Sequence, residues 1–370
     1  MAPIRILVVD DSIVIRRILG EVLASDPAVE MVGTASDGCI ALSKIGQLHP
    51  DLITLDVEMP NMSGLETIAE IRKLHPRLPI IMFSTLTEGG ATTTLDALAL
   101  GASDYVTKPS NTGSLDVTMA RIKQELLPKI KGLCSRDISS KTRIVPLPPK
   151  GTPPKIITPR AAARIDILAI GSSTGGPNAL AEVLPGIPAD FPIPIVIVQH
   201  MPPLFTRMLA ERLDKQSSIA VHEGEPGKQI APGHAWIAPG NYHMAVERRG
   251  TAVQLALNQL PPENSCRPAV DVLFRSVAST FGANTLAVVL TGMGNDGMLG
   301  AQCVRERGGR VYVQDEASSV VWGMPGAVAT SGHADSILPL RSIAGEIDRY
   351  VRATRGSFKS PSSLVPSNST

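Results

Sequence analysis

Three side chains in the second half of the sequence are of the types that acyl transfer needs: Ser173, His200 and Asp296. Ser173 lies in Gly171-Ser172-Ser173-Thr174-Gly175-Gly176-Pro177. The Gly-x-Ser-x-Gly register describes a nucleophile elbow, a sharp turn that presents a serine hydroxyl, and it selects Ser173 over Ser172. A serine needs a base to take its proton, and the base needs a third group to orient it. His200 in Gln199-His200-Met201-Pro202 and Asp296 in Gly292-Met293-Gly294-Asn295-Asp296-Gly297 supply those two types. Each also has a plainer reading. A glycine-rich turn can bind phosphate at a helix N-terminus, although the GxGxxG and GxxxxGK[ST] spacings are absent. His200 can be a satisfied buried histidine, and Asp296 can cap the helix that follows it.

The first half carries a different set: Asp10, Asp11, Asp56, Ser84 and Lys108. Two carboxylates about 4 Å apart repel by about 4 kcal/mol at an effective dielectric near 20. Three together call for a cation, and an oxygen-only site beside phosphate chemistry suits Mg²⁺. Lys108 would add an ammonium to the same crevice and Ser84 a hydroxyl.

Both sets need a frame that brings distant residues together. Apolar, β-branched runs at 4–9, 30–34, 51–55, 79–83 and 104–106 alternate with helical patterns at 13–23, 65–74 and 92–100. Such alternation predicts a parallel sheet covered on both faces. Five units suit the doubly wound order 2-1-3-4-5, which gathers ligands at the carboxyl ends of strands 1 and 3. Asp10, Asp11 and Asp56 close those two strands. In the second half, strands at 165–170, 194–198 and 286–290 run into the Ser173, His200 and Asp296 segments, again at carboxyl ends that share one face. The expected fold class is α/β, with two doubly wound parallel-sheet domains, the first flavodoxin-like and the second Rossmann-like.

Composition sets the boundaries. The 370 residues suit about two domains, and 43% hydrophobic against 19% charged residues lets each bury an ordinary core. Residues 1–125 hold 10 Lys/Arg and 16 Asp/Glu; 126–164 hold 9 and 1, with seven prolines; 165–352 hold 14 and 17. The basic, proline-rich segment reads as a linker over 126–164. A nucleic-acid tether would want stacking side chains, which it lacks. Residues 353–370 read as a disordered tail. Apolar stretches fall short of the roughly 18 residues that span a membrane, and Asp10 and Asp11 come too early for a signal peptide, so a cytoplasmic protein without membrane insertion is expected. Cys39, Cys134, Cys266 and Cys303 have neither zinc nor disulfide spacing and read as plain thiols. His222, His234, His243 and His333 fall in an apparently loop-rich region and stay unassigned.

VVDDS, LDVEMPNMSG and DYVTKP resemble the receiver domain of two-component response regulators. The resemblance implies that Asp56 accepts a phosphoryl group from a histidine kinase, with Asp10, Asp11 and Asp56 on Mg²⁺. Lys108 would pair the phosphoryl oxygens, Ser84 would capture one of them, and Tyr105 would repack in response. GSSTGG, QHMP and LTGMGNDG resemble the catalytic domain of the chemotaxis methylesterases of the CheB family. Ser172 departs from that pattern, where alanine is more frequent, and leaves the Ser173 register intact. This likeness implies a phosphorylation-activated protein-glutamate methylesterase, with glutaminase as a second activity, acting on methyl-accepting chemoreceptors. Ser173, His200 and Asp296 would be catalytic, the backbone N–H groups of Thr174 and Met293 would form the oxyanion hole, and the esterase domain would need no cofactor. A non-catalytic regulator with a binding module is the alternative. A DNA-binding output is disfavoured by an effector half with no net positive charge.

Overall fold

The computed structural model describes residues 2–85, 87–108, 115–134 and 163–356. Pro109, the linker from 135 to 162 and the tail from 357 lie outside the described residues. In the first domain β1 (Ile4–Val9), β2 (Val29–Ala35), β3 (Leu52–Asp56), β4 (Ile80–Ser84) and β5 (Asp104–Thr107) form a parallel sheet in the order β2-β1-β3-β4-β5. Every residue of β3, β4 and β5 is buried, as strands covered on both faces require. The covering helices are α1 (Ile13–Ala24), α2 (Gly38–Leu48), α3 (Gly64–Leu74), α4 (Glu88–Ala99) and α5 (Leu115–Cys134). Local signals fix their starts: Ser12, Asp37 and Thr87 cap α1, α2 and α4, and Ser63 and Glu66 form a capping box on α3.

Helix α5 runs past residue 125 to Cys134, so the first nine residues of the segment expected to be linker belong to this domain. Pro128 inside the helix removes a hydrogen bond at about 3 kcal/mol. Leu126, Leu127, Ile130 and Leu133, spaced along one face, are all buried. At roughly 1.5–3 kcal/mol each, their burial outweighs the proline.

The second domain holds a seven-stranded sheet in the order β14-β13-β12-β6-β7-β9-β8, parallel throughout. Its strands are β6 (Ile167–Ser172), β7 (Ile195–Gln199), β8 (Ala220–Glu223), β9 (His234–Ile237), β12 (Thr285–Val289), β13 (Arg310–Gln314) and β14 (Ser336–Leu338). A hairpin of β10 (His243–Arg249) and β11 (Ala252–Asn258) stands beside it. The helices are α6 (Gly176–Val183), α7 (Phe205–Gln216), α8 (Val270–Phe281), α9 (Met298–Glu306), α10 (Met324–Thr330) and α11 (Leu340–Gly356). Helix α11 thus continues four residues beyond the expected start of the tail. The stretch around His222, His234 and His243 is stranded rather than loop-rich: these residues lie on β8, β9 and β10. The His222 Nε2 and His234 Nδ1 atoms lie 3.1 Å apart.

Candidate active site and phosphoacceptor crevice

At the carboxyl ends of β1 and β3, ligand oxygens of Asp10, Asp11 and Asp56 all lie within 4.8 Å of one another. Lys108 Nζ stands 2.7 Å from Asp56 Oδ1 and 3.1 Å from Asp10 Oδ2. Burial, with crowding by Asp10, pushes the Asp56 carboxyl up to about 6 despite Lys108, and burial likewise raises Asp10. The three carboxylates make an oxygen-only ligand set that fits a hard divalent cation, with the Lys108 ammonium beside it. Asp11, Asp56 and Lys108 line a cavity of about 230 Å³ beside them. Ser84 and Tyr105 do not line that cavity, although the Ser84 carbonyl accepts from the Lys108 backbone N–H at 2.6 Å. Ser84 Oγ is buried and accepts from Thr94 Oγ1 at 2.6 Å. The Tyr105 ring faces the second domain.

In the second domain β6 delivers Ser172 and Ser173 with opposite fates. Ser172 is fully buried and its hydroxyl donates to Gln199 Oε1 at 2.7 Å, whereas Ser173 lines a cavity of about 840 Å³. The turn after it needs glycine twice. Gly175 adopts φ 75°, and a Cβ on Gly176 would lie 1.9 Å from Gln199 Oε1. Gln199, at the end of β7, also donates to the Ser173 carbonyl at 2.9 Å, tying the elbow to the segment that carries His200.

His200 lines the same cavity, and its Nε2 lies 2.8 Å from Asp296 Oδ2. The Asp296 carboxylate is buried and further accepts from the backbone N–H groups of Val270 (2.7 Å), Asp271 (3.0 Å) and Gly297 (3.0 Å) and from Asn264 Nδ2 (2.9 Å). Asp296 therefore caps α8, a helix that precedes it in sequence, and not the one that follows, whose N-cap residue makes no side-chain cap. Five donors, two from a helix N-terminus, hold its carboxyl below the ordinary range against the effect of burial. An acceptor-only carboxylate makes His200 Nε2 a donor, leaving Nδ1 as the nitrogen that can exchange a proton with the cavity. Burial opposes the imidazolium, but Asp296, joined by the Cys266 sulfur, lifts His200 to about 10.

The first domain forms the opposite wall of this cavity, through Tyr105 on β5 and Glu125, Pro128 and Lys129 on α5. Tyr105 stacks on Phe205 of α7, with centroids 4.8 Å apart and planes within 1°. Thr174 Oγ1, next to Ser173, donates to Asp104 Oδ2 at 2.6 Å, and Lys129 Nζ lies 3.1 Å from the other oxygen of that carboxylate. Asn178 donates to the Leu98 carbonyl, and Arg212 and Arg207 pair with Asp96 and Glu88. The exposed pairs contribute about 0–1 kcal/mol. The buried charged hydrogen bond, worth roughly 1.5–3 kcal/mol, and the aromatic stack dominate.

Sequence reasoning missed Asn264, Cys266, Asp104 and the structural part of Gln199. Nothing in local spacing marks the first three, whose partners lie 32, 66 and 70 residues away.

The chain matches the family CheB methylesterase over residues 168–347 and the family Response regulator receiver domain over residues 6–120. A protein-glutamate methylesterase/protein-glutamine glutaminase of Trichodesmium erythraeum (strain IMS101) is 53% identical over 351 residues, covering 95% of this chain and 100% of its own. One of that name from a Nocardioides species is 49% identical, covering 97% and 98%. The crystal structure of the Thermotoga maritima CheB methylesterase catalytic domain is 43% identical and covers 50% of this chain and 98% of its own, with a TM-score of 0.49.

Proposed function

Because the chain belongs to the CheB family of protein-glutamate methylesterase/protein-glutamine glutaminases, with a response regulator receiver ahead of the esterase, we propose how its own residues perform and control that hydrolysis. Ser173 Oγ attacks the γ-carbonyl of a glutamate methyl ester. His200 accepts the serine proton at Nδ1 and returns it to the departing methanol. Asp296 holds Nε2–H and stabilises the imidazolium without itself being protonated. The N–H groups of Thr174 and Met293 stabilise the oxyanion, each worth about 2.7–4 kcal/mol of barrier. Water then repeats the attack on the acyl-serine, releasing glutamate and restoring the hydroxyl. A glutamine amide follows the same route with ammonia leaving. The observation that carries this reading is the His200–Asp296 pair, capped by α8, opening on the cavity that Ser173 lines.

The substrates proposed are cytoplasmic segments of methyl-accepting chemoreceptors, and the phosphodonor a histidine kinase, which puts the protein in the cytoplasm. Among the described residues no helix is long and apolar enough to cross a membrane. Asp56 is the proposed phosphoacceptor, with Asp10, Asp11 and Asp56 holding Mg²⁺, which would shield the incoming phosphate from the carboxylates. Lys108 would pair the phosphoryl oxygens, and Ser84 would donate to one after turning its hydroxyl from the Gly90 carbonyl. The first domain, docked across the cavity mouth, would keep a protein substrate out until phosphorylation loosens it.

Methanol release from methylated receptor tests the assignment. Ser173→Ala should abolish release and Ser172→Ala should retain most of it, with Asp56 phosphorylation normal in both. A dead Ser172→Ala beside an active Ser173→Ala would reverse the assignment.

A further inference from the structure

Cys266 Sγ lies 3.5 Å from His200 Nδ1. Cys266 reaches it from a tight turn, Glu263-Asn264-Ser265-Cys266, closed by Glu263 N–H to Cys266 O (3.1 Å) and Cys266 N–H to Glu263 O (2.9 Å). The two central residues have positive φ, 52° and 62°, the backbone of a two-residue hairpin turn. Its first corner is anchored by Glu263, whose carboxylate takes both terminal nitrogens of Arg275 on α8. From the turn Asn264 donates to both Asp296 and Asp271, each at 2.9 Å. One four-residue turn therefore grips the base–acid pair at both ends, Asn264 on the carboxylate and Cys266 on the far nitrogen of the imidazole.

We propose that Cys266 is a positioning residue for His200: its sulfur accepts a hydrogen bond from protonated Nδ1 and so occupies the nitrogen that must receive the Ser173 proton until substrate displaces it. The proposal rests on the esterase reading above and concerns the same histidine. The Nδ1 atom cannot take the Ser173 proton while its own points at sulfur, so hold and release at this contact set the acid limb of catalysis. Other charged groups bear on the same ring. Asp296 faces Nε2, with Asp271 behind Asn264, and Arg267, Glu125 and Lys129 line the cavity across from it. The sulfur adds to Asp296 in favouring the imidazolium, the direction expected of an acceptor facing Nδ1–H.

The test uses the full chain with labelled histidine. The His200 resonance, identified by its loss in His200→Gln, is titrated by NMR in the wild type, Cys266→Ala and Cys266→Ser, alongside the pH dependence of kcat/KM for methanol release. Cys266→Ala should move the His200 midpoint down by about one pH unit, a roughly tenfold change in proton affinity, and the acid limb of kcat/KM should follow it. Cys266→Ser, whose oxygen can also accept, should fall between the two. An unmoved His200 midpoint in a Cys266→Ala protein with a native amide spectrum would overturn the proposal, whether or not methanol is released. Loss of methanol release from the wild type would count instead against the esterase reading. A kcat/KM profile that stayed in place while the midpoint moved would also overturn it, since the parked proton would then not govern catalysis.

Discussion

At the scale of single residues, the assignment of Ser173 over Ser172 rests on where each hydroxyl points. Adjacent serines on a strand face opposite ways; here one is spent on Gln199 and the other opens on the cavity. The Gly-x-Ser-x-Gly register carried that distinction in the sequence because the elbow fixes which residue projects. The base is a different matter. That His200 would meet Asp296 was legible only as three strand ends sharing a face, and its Cys266 contact was not legible at all. Asp296 and the Cys266 sulfur raise His200 against the effect of burial, so the free base grows as pH rises. In the docked, unphosphorylated protein kcat/KM should therefore climb through the neutral range toward alkaline pH. Asp296→Asn removes a carboxylate that favours the imidazolium, so its acid limb should shift to lower pH. Its maximum should meanwhile fall by roughly 10³–10⁴-fold, because the tautomer is no longer held. A pH–rate profile of both proteins checks the two effects separately. An acid limb that moved upward would contradict this account.

At the scale of elements, α5 shows why composition misleads. Averaged over 126–164, prolines and lysines dominate, and the window conceals Leu126, Leu127, Ile130 and Leu133 on one helical face. The hairpin and edge strands around 220–258 were hidden for a related reason: they are four to seven residues long and separated by segments holding glycine and proline, so no run stands out. The turn at Glu263–Cys266 depends on register with α8 and on residues far along the chain, which no local pattern encodes. By contrast, the central strands of the first domain were readable because β3 and β4, buried along their whole length, are nearly continuous apolar runs. One contact between elements yields a prediction. The Thr174 side chain bonds Asp104 on β5 while its backbone N–H is the proposed oxyanion donor. Thr174→Val removes the first and keeps the second. Methanol release by the unphosphorylated full chain should rise severalfold, about tenfold for each ~1.4 kcal/mol of docking lost. The same change in a fragment lacking the first domain should do nothing. Equal effects in both would place Thr174 in the chemistry rather than in the docking.

At the scale of the whole molecule, two sheets meet so that one covers the working face of the other. Asp56→Asn should leave basal methanol release intact and remove its response to a small-molecule phosphodonor and Mg²⁺; a response that persisted would mean control does not pass through Asp56. A fragment from Arg164 to Thr370 should fold and exceed the unphosphorylated parent in methanol release. A folded fragment no faster than its parent would rule out inhibition by docking. The second domain is also closed in another sense. Ile165 N–H donates to Thr354 Oγ1, and Arg355 reaches both the Ile165 carbonyl and Asp166, so α11 finishes where β6 is about to begin. A unit whose two ends touch can be spliced into another chain as a cassette, or permuted by joining those ends and reopening a surface loop, without redirecting any strand. Such a junction lets the receiver and the esterase be exchanged for other partners while the catalytic face is inherited whole.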